Sequence, residues 1–300
     1  MHQQNVTGKR FLAVTILNII ITVVELIGGV ISGSLALLSD AFHNFGDSAS
    51  IVISYFAQVI GKRPETSKQT YGYKRAEILS ALLNALLLVT IAIGLLVEAV
   101  KRFQHPTHIN GEVMLIVAVV GLIANFASAA LLHAGSHDSL NIKATYLHVL
   151  SDALSSLAVI VAAIILIFVN IPWLDPLLTV AVAIYIAWEA WPIIKQTLHI
   201  LMQAAPQLDY DAIIHDLEQI DGVIGVHHIH AWSVDEHHVM FSLHINCHDI
   251  KLSEAEVIYS KIEDLLRNKY NICHITIQAE CDRGRNETMF DTVDDEKHGI

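Results

Sequence analysis

A chain of 300 residues that is 53% hydrophobic and only 16% charged is too apolar for an ordinary soluble domain. Its mean hydropathy of +0.50 points instead to a polytopic membrane protein. The formal charge of −12 excludes a nucleic-acid partner, because phosphate binding needs a basic face.

From the N-terminus, six apolar runs are each near or above the roughly 20 residues that a helix needs to cross a bilayer. They cover residues 11–31, 35–60, 78–100, 113–132, 144–169 and 174–194. Soluble core helices would carry polar caps and an amphipathic stripe, which these runs mostly lack. The first run continues too far and shows no small-residue cleavage pattern, so it reads as a retained helix and not a signal peptide. Basic residues set the expected orientation. Lys9 and Arg10 precede the first run; Lys62, Arg63, Lys68, Lys74 and Arg75 crowd the second connection. Lys143 falls in the fourth connection and Lys195 follows the sixth run, against only Lys101 and Arg102 on the other side. The expectation is a multi-pass protein of the cell membrane with both termini cytoplasmic.

Within the runs, a few polar residues stand out. Two echoes dominate: His43-Asn-Phe-Gly-Asp47 in the second run and His148-Val-Leu-Ser-Asp152 in the fifth. On a helix, residues four apart share one face, so each motif aims an imidazole and a carboxylate the same way. Brought together, His43, Asp47, His148 and Asp152 offer two nitrogen and two oxygen ligands, a set suited to a tetrahedral zinc-like ion. Interhelical hydrogen bonds in membranes average only ~0.6 kcal/mol. That is too little to offset four groups costing about 2.5–3.5 kcal/mol each for a charged side chain at membrane depth. Asp40, one turn earlier, either stages ions along an exit path or caps its helix. Asn84 and Asn125 fit interhelical hydrogen bonds, while Glu25 fits a water-lined path and Glu98 is a further polar residue in apolar context.

Past Gln203 the texture changes, with Pro206 marking the exit from the last apolar run. Residues 210–220 and 254–270 have helical spacing; residues 222–232, 238–247 and 271–280 alternate like strands. The order helix–strand–strand–helix–strand predicts a small α+β domain, ferredoxin-like or metallochaperone-like. The chain thus divides into an all-α, six-helix transmembrane bundle over residues 1–203, a cytoplasmic domain over 204–283 and an acidic disordered tail over 284–300. Cys247, Cys273 and Cys281 all fall in the cytoplasmic part and read as reduced thiols, available as metal ligands or simply buried. His230 and Trp232 read as core or interface packing.

Several stretches add up to one pattern. Gly33-Ser-Leu-Ala-Leu37 leads into Ser39-Asp-Ala-Phe-His-Asn-Phe-Gly-Asp47; Tyr71-Gly72 with Arg75 and Glu77 opens the third helix; Leu147-His-Val-Leu-Ser-Asp152 and Asp175-Pro176 open the fifth and sixth. His227-His-Ile-His-Ala-Trp232 and Ile275-Thr-Ile-Gln-Ala-Glu280 follow in the last domain. Over nearly its whole length the chain resembles the cation diffusion facilitator family, in its zinc-transporting branch of bacterial zinc, cobalt and cadmium efflux proteins.

The resemblance implies a homodimer that exports a divalent cation from the cytoplasm against inward proton flow. It places the transport site at His43, Asp47, His148 and Asp152, with histidine at 43 favouring zinc over hard octahedral ions. In the cytoplasmic domain it singles out His227, His244 and Glu280 as a regulatory zinc site, with Cys273 and Cys281 as candidates for a second position. Some bacterial family members carry a metal site of aspartate and histidines in the connection between helices 2 and 3, but residues 64–73 contain no histidine, so that site is expected to be missing. Only His133 and His137 stand where many zinc-branch members have a histidine-rich loop. Zinc is then the cargo and a regulatory ligand, with no organic cofactor; the partners are a second copy, the bilayer, divalent metals and protons. A membrane zinc sensor is the competing reading. An enzyme is not expected, since the chain lacks H-E-x-x-H and any nucleophile–base set.

Overall fold

The computed structural model describes residues 2–133, 140–169, 171–235, 238–285 and 289, with side chains described from residue 13 to 133 and from 146 onward. The side chains of Lys9, Arg10 and Lys143, and the whole of His137, His237 and the acidic tail from 291, lie outside that description. Six long helices come first: α1 (His2–Ser32), α2 (Leu35–Gly61), α3 (Arg75–Gln104), α4 (Gly111–His133), α5 (Leu140–Phe168) and α6 (Leu174–Leu201). Then follow α7 (Tyr210–Glu218), β1 (Gly225–Ser233), β2 (Val239–Asn246), α8 (Leu252–Tyr270) and β3 (His274–Glu280). The chain forms two compact units, Met1–Val59 with Ser80–Lys195, and Ile60–Leu79 with Gln196–Ile300. The α2–α3 connection therefore groups with the C-terminal elements.

Five helices among the described residues are long and apolar enough to cross a membrane: α1, α3, α4, α5 and α6. α2 has the length but not the composition, because Asp40, His43, Asn44, Asp47 and its serines dilute the apolar residues. Its polar residues turn inward; Ser39, Asp40, His43 and Asn44 are all buried. Small residues let the helices approach closely, as expected where no water drives packing. Ala36, Ala118, Ala162 and Ala163 pack with Leu37, Met114 and Val159 between α2, α4 and α5. Ala85, Ala92, Ala183 and Ala190 pack with Leu88, Leu95 and Ile186 between α3 and α6. At Gly46 a Cβ would lie 2.5 Å from Leu88 Cδ2, so only glycine allows this α2–α3 approach without repacking.

The start of α2 is fixed from a distant point in the sequence. Asp175, in the first turn of α6 and fully buried, accepts hydrogen bonds from Ser34 Oγ (2.5 Å), Leu35 N (2.8 Å) and Ala36 N (3.2 Å). A carboxylate at a helix N-terminus satisfies orphan N–H groups and complements the helix dipole. Asp40 is therefore no cap. It sits inside α2, where both of its oxygens accept from Ser155 and Ser156 of α5.

In the C-terminal unit the sheet order is β1-β2-β3, antiparallel then parallel, with α8 forming the crossover. Among the described residues it holds three of the four strands of a complete ferredoxin-like βαββαβ unit. Phe241, Leu243 and Ile245 of β2 alternate onto one face and pack with Ile213 and Leu217 of α7 and Ile258, Ile262 and Leu266 of α8. β3 starts at His274 and not at 271, because Asn271 takes a left-handed conformation (φ 55°) that ends α8. β1 carries a bulge at His228 (φ 49°), where the register shifts between His227 and His230.

Replacing Asp175 by Ala strands three donors in the helical interior. The expected loss is about 3 kcal/mol, the scale of charge-assisted buried hydrogen bonds. Thermal unfolding in detergent should show D175A well below wild type, with D175N intermediate because its carbonyl oxygen still accepts.

Candidate metal centre

Two clusters of metal-ligating side chains occur among the described residues, one in each unit. In the helical unit, α2 presents His43 and Asp47 one turn apart, and α5 presents His148 and Asp152. His148 Nε2 lies 3.1 Å from Asp47 Oδ2 and 4.0 Å from Asp152 Oδ2. His43 Nε2 lies 3.7 Å from Asp152 Oδ1 and 3.8 Å from Asp47 Oδ2. Ligands on a tetrahedral ion with bonds near 2.0–2.2 Å stand about 3.3–3.6 Å apart. The observed spread of 3.1–4.0 Å brackets that value, its short end being the hydrogen bond between His148 Nε2 and Asp47 Oδ2. His43 is buried, and neither of its ring nitrogens has a hydrogen-bond partner in the protein. A buried imidazole held among carboxylates but bonded to none is the arrangement a cation between them would explain.

α6 adds residues that the sequence reading passed over. Glu189 Oε1 stands 3.9 Å from His148 Nδ1, the nitrogen facing away from the cluster. At that distance the carboxylate makes no hydrogen bond to the ring but places a negative charge beside its outer nitrogen. The Tyr185 ring meets His43 edge-on at 6.4 Å, and its hydroxyl lies 3.3 Å from Ser151 Oγ. Glu189 was findable by the rule applied to α2, since it is an acid inside an apolar run.

The second cluster lies on the sheet. His227 on β1 pairs directly with His244 on β2, and Glu280 on β3 stands opposite Asn246. His227 Nε2 is 3.2 Å from Glu280 Oε2, and His244 Nδ1 is 3.4 Å from Glu280 Oε1. Arg283 Nε also approaches Glu280 Oε1, at 3.7 Å. The loop after β3 closes over this cluster. Asn246 Nδ2 donates to Arg283 O at 2.8 Å, and a Cβ at Gly284 (φ 68°) would fall 2.0 Å from His227 Nε2, so a side chain is excluded there. Burial holds the His244 imidazole below its ordinary pKa; Glu280 pulls it up, and His228, His227 and Arg283 push it down. A neutral imidazole is the form that binds metal.

Strict alternation puts His227 and His228 on opposite faces, but the bulge overrides it. His244 meets His227 at 5.5 Å between ring centroids and His228 at 4.5 Å. His230 is exposed, so it is not core; Trp232 is half-buried and lines a cavity with Tyr71, Tyr73 and Arg75. The structure does not bring Cys273 and Cys281 together. They flank β3 at its opposite ends, Cys273 N donating to Val239 O and Cys281 exposed beyond Glu280. Cys247 is buried, and burial reinforced by Cys281 pushes its thiol pKa up, which favours an inert core thiol.

Two family models divide the chain: residues 11–202 match the cation efflux transmembrane domain and 205–281 the cytoplasmic domain of cation efflux proteins. The chain belongs to the cation efflux family. These proteins are cation transporters and not enzymes. The zinc transporter ZitB of Pectobacterium atrosepticum is 37% identical over 285 residues, 94% of this chain and 88% of that protein. A cadmium, cobalt and zinc/H(+)-K(+) antiporter of Bacillus velezensis is 38% identical over 262 residues, 86% of this chain and 83% of its own. The metal cation efflux system protein CzcD of Cupriavidus metallidurans is 36% identical over 259 residues, 86% of this chain and 82% of its own. This cation efflux protein is accordingly a multi-pass membrane protein with a C-terminal cytoplasmic domain.

A histidine held below its unfolded pKa lets the unfolded chain bind more protons. Stability is then lost as pH falls through the ordinary value of about 6.5, levelling off below the folded value. With chelator present, the protein should unfold more easily near pH 5.5 than near 7.5, and H244Q should flatten that difference. Equal pH dependence in the two proteins would rule out the His244 contribution.

Proposed function

We propose that this chain exports divalent zinc from the cytoplasm in exchange for protons, through the His43, Asp47, His148 and Asp152 set. One observation carries the reading: two nitrogen and two oxygen donors from α2 and α5 converge within 4.8 Å inside an apolar helical unit. With neutral imidazoles and ionised carboxylates the set carries two negative charges, which a divalent ion neutralises. When the ion leaves, the bare charge is unfavourable at membrane depth, so protons take its place. An imidazole's ordinary pKa near 6.5 puts this exchange close to physiological pH. Metal and proton compete for the same atoms, and alternating exposure of the set to the two sides turns that competition into antiport. Zinc fits the borderline nitrogen and oxygen donors; cobalt and cadmium accept similar geometry. The antiporter relative's name, which pairs zinc with those two metals, supports that range, and the ZitB name supports zinc.

In this reading α2 is the sixth span, tolerated in the membrane because its polar face turns into the bundle. Residues 1–203 form the transport domain, 204–283 the dimerisation and metal-sensing domain and 284–300 an acidic tail, with both termini in the cytoplasm. His227, His244 and Glu280 bind regulatory zinc, drawing the cytoplasmic domains of a homodimer together. His227 Nδ1, buried without a hydrogen-bond partner, supports a donor set that the protein alone does not satisfy. A membrane sensor remains the competing class, favoured only by this second cluster; it predicts zinc binding without flux.

Reconstituted vesicles separate the two. D47A and D152A should each abolish zinc uptake while the protein stays inserted, because three remaining donors with one charge cannot neutralise the ion. Wild-type rates in either variant would remove the assignment. Replacing both His227 and His244 by Ala should leave transport but blunt its dependence on zinc at the cytoplasmic face. Loss as complete as in D47A would show that this cluster carries transport and does not regulate it.

A further inference from the structure

Beside the four donors lies a second polar cluster, built from oxygen and amide groups. Glu25 of α1 is 1% exposed; its Oε2 accepts from Asn44 Nδ2 of α2 at 2.9 Å, and its Oε1 is buried with no hydrogen-bond partner. Asn44 Oδ1 is likewise buried without a partner. Asp40, 3% exposed, is satisfied differently, with Ser155 Oγ donating to one oxygen at 3.2 Å and Ser156 Oγ to the other at 3.3 Å. Asn125 of α4 extends the cluster by donating to Ser156 Oγ at 3.4 Å. Gly121 of α4 closes it, since a Cβ there would lie 2.6 Å from Glu25 Oε1.

The two acids are thus equipped for different charge states. Both Asp40 oxygens have a donor, as an ionised carboxylate requires. Glu25 and Asn44 are joined by one hydrogen bond and leave two acceptor oxygens, one on each side chain, with no donor for either. A single proton on Glu25 Oε1 supplies the missing donor and makes the acid and the amide complementary. It also removes a charge that an apolar bundle solvates poorly. The charged or titratable groups acting on Glu25 are Asp40 and His43 from α2 and Asp152 from α5. The face of α4 turned to it carries uncharged Gly121 and Asn125.

We propose that Glu25 is a second proton-binding site of the transport cycle, separate from the metal donors and held by its pairing with Asn44. Its hydrogen bond goes to Asn44 and not to any of the four donors, yet Asn44 directly follows His43 on α2. A divalent ion among the donors offsets the charge of Asp152 and favours ionised Glu25. The proton then leaves Oε1 for whichever aqueous side is open, and it returns when the ion departs. This rests on the antiporter reading, to which it adds a proton that the four ligands do not carry.

The test counts protons released when zinc binds to the full-length protein in detergent, by calorimetry in buffers of different ionisation enthalpy. E25Q keeps the shape of the neutral acid and its amide pairing but cannot release a proton. Zinc affinity should stay within about threefold of wild type while proton release falls by about one per zinc. Infrared difference spectra should show a protonated-carboxyl band that zinc removes from wild type and that E25Q lacks. Unchanged proton release in E25Q beside intact zinc flux overturns this proposal alone; so does a wild-type spectrum without such a band, which needs no variant to fold. Wild-type vesicles that move no zinc overturn the antiporter reading and this one with it.

Discussion

Ionisable side chains inside an apolar helical unit have no water to turn to, and the arrangement of this unit follows from where each finds a partner. Asp175 takes the free N–H groups at the start of α2, and Asp40 takes two serine hydroxyls from α5. Those two carboxylates are satisfied by the protein itself, and each ties α2 to another helix. His43, Asp47, His148 and Asp152 are only partly satisfied by one another, at separations mostly too long for hydrogen bonds. The same constraint therefore yields two kinds of site: closed ones that fix helices and open ones that the protein leaves only partly satisfied.

α2 gathers these consequences. It fails as a membrane span by composition because it carries most of the polar load, and that load is tolerable only because five more apolar helices share its unit. Its N-terminus is pinned by α6, its Asn44 is tied to α1 through Glu25 and Asn18, and its Asp40 is tied to α5. A helix held this way can move only together with its neighbours. A change of charge at His43 or Asp47 is therefore felt by α1, α5 and α6 at once, which is what coupling between binding and access requires.

Much of this was legible in the residues. The two histidine–aspartate pairs announce themselves because i and i+4 on a helix share a face, and apolar flanks make their cost visible. The order of elements in the cytoplasmic domain follows from periodicity alone. What stayed hidden depends on partners far apart in sequence. Nothing local says that Asp175 caps a helix about 140 positions earlier, or that Ser155 and Ser156 are the donors for Asp40. The bulge at His228 is invisible to a rule of strict alternation, and it is what lets two neighbouring histidines face His244. Cys273 and Cys281 show the opposite case: close to the cluster in sequence, they flank the two ends of an extended strand, where each residue adds about 3.3 Å.

The two donor clusters differ in what surrounds them, and the difference fits different tasks. The membrane set has no cation beside it among the described residues, so two carboxylates compete for whatever charge arrives, metal or proton. On the sheet, Arg283 already stands near Glu280, and the Gly284 backbone abuts the Nε2 edge of His227. A cation bound there replaces part of what Arg283 supplies and claims space beside the loop that Asn246 holds down. In the regulatory reading, occupancy of that cluster is linked to the position of residues 281–285, which Asn246 holds through the Cys281 and Arg283 carbonyls. A cluster whose ligand would share its space with a tethered loop suits rapid passage of ions less well than it suits reporting their concentration, in keeping with the regulatory reading proposed above.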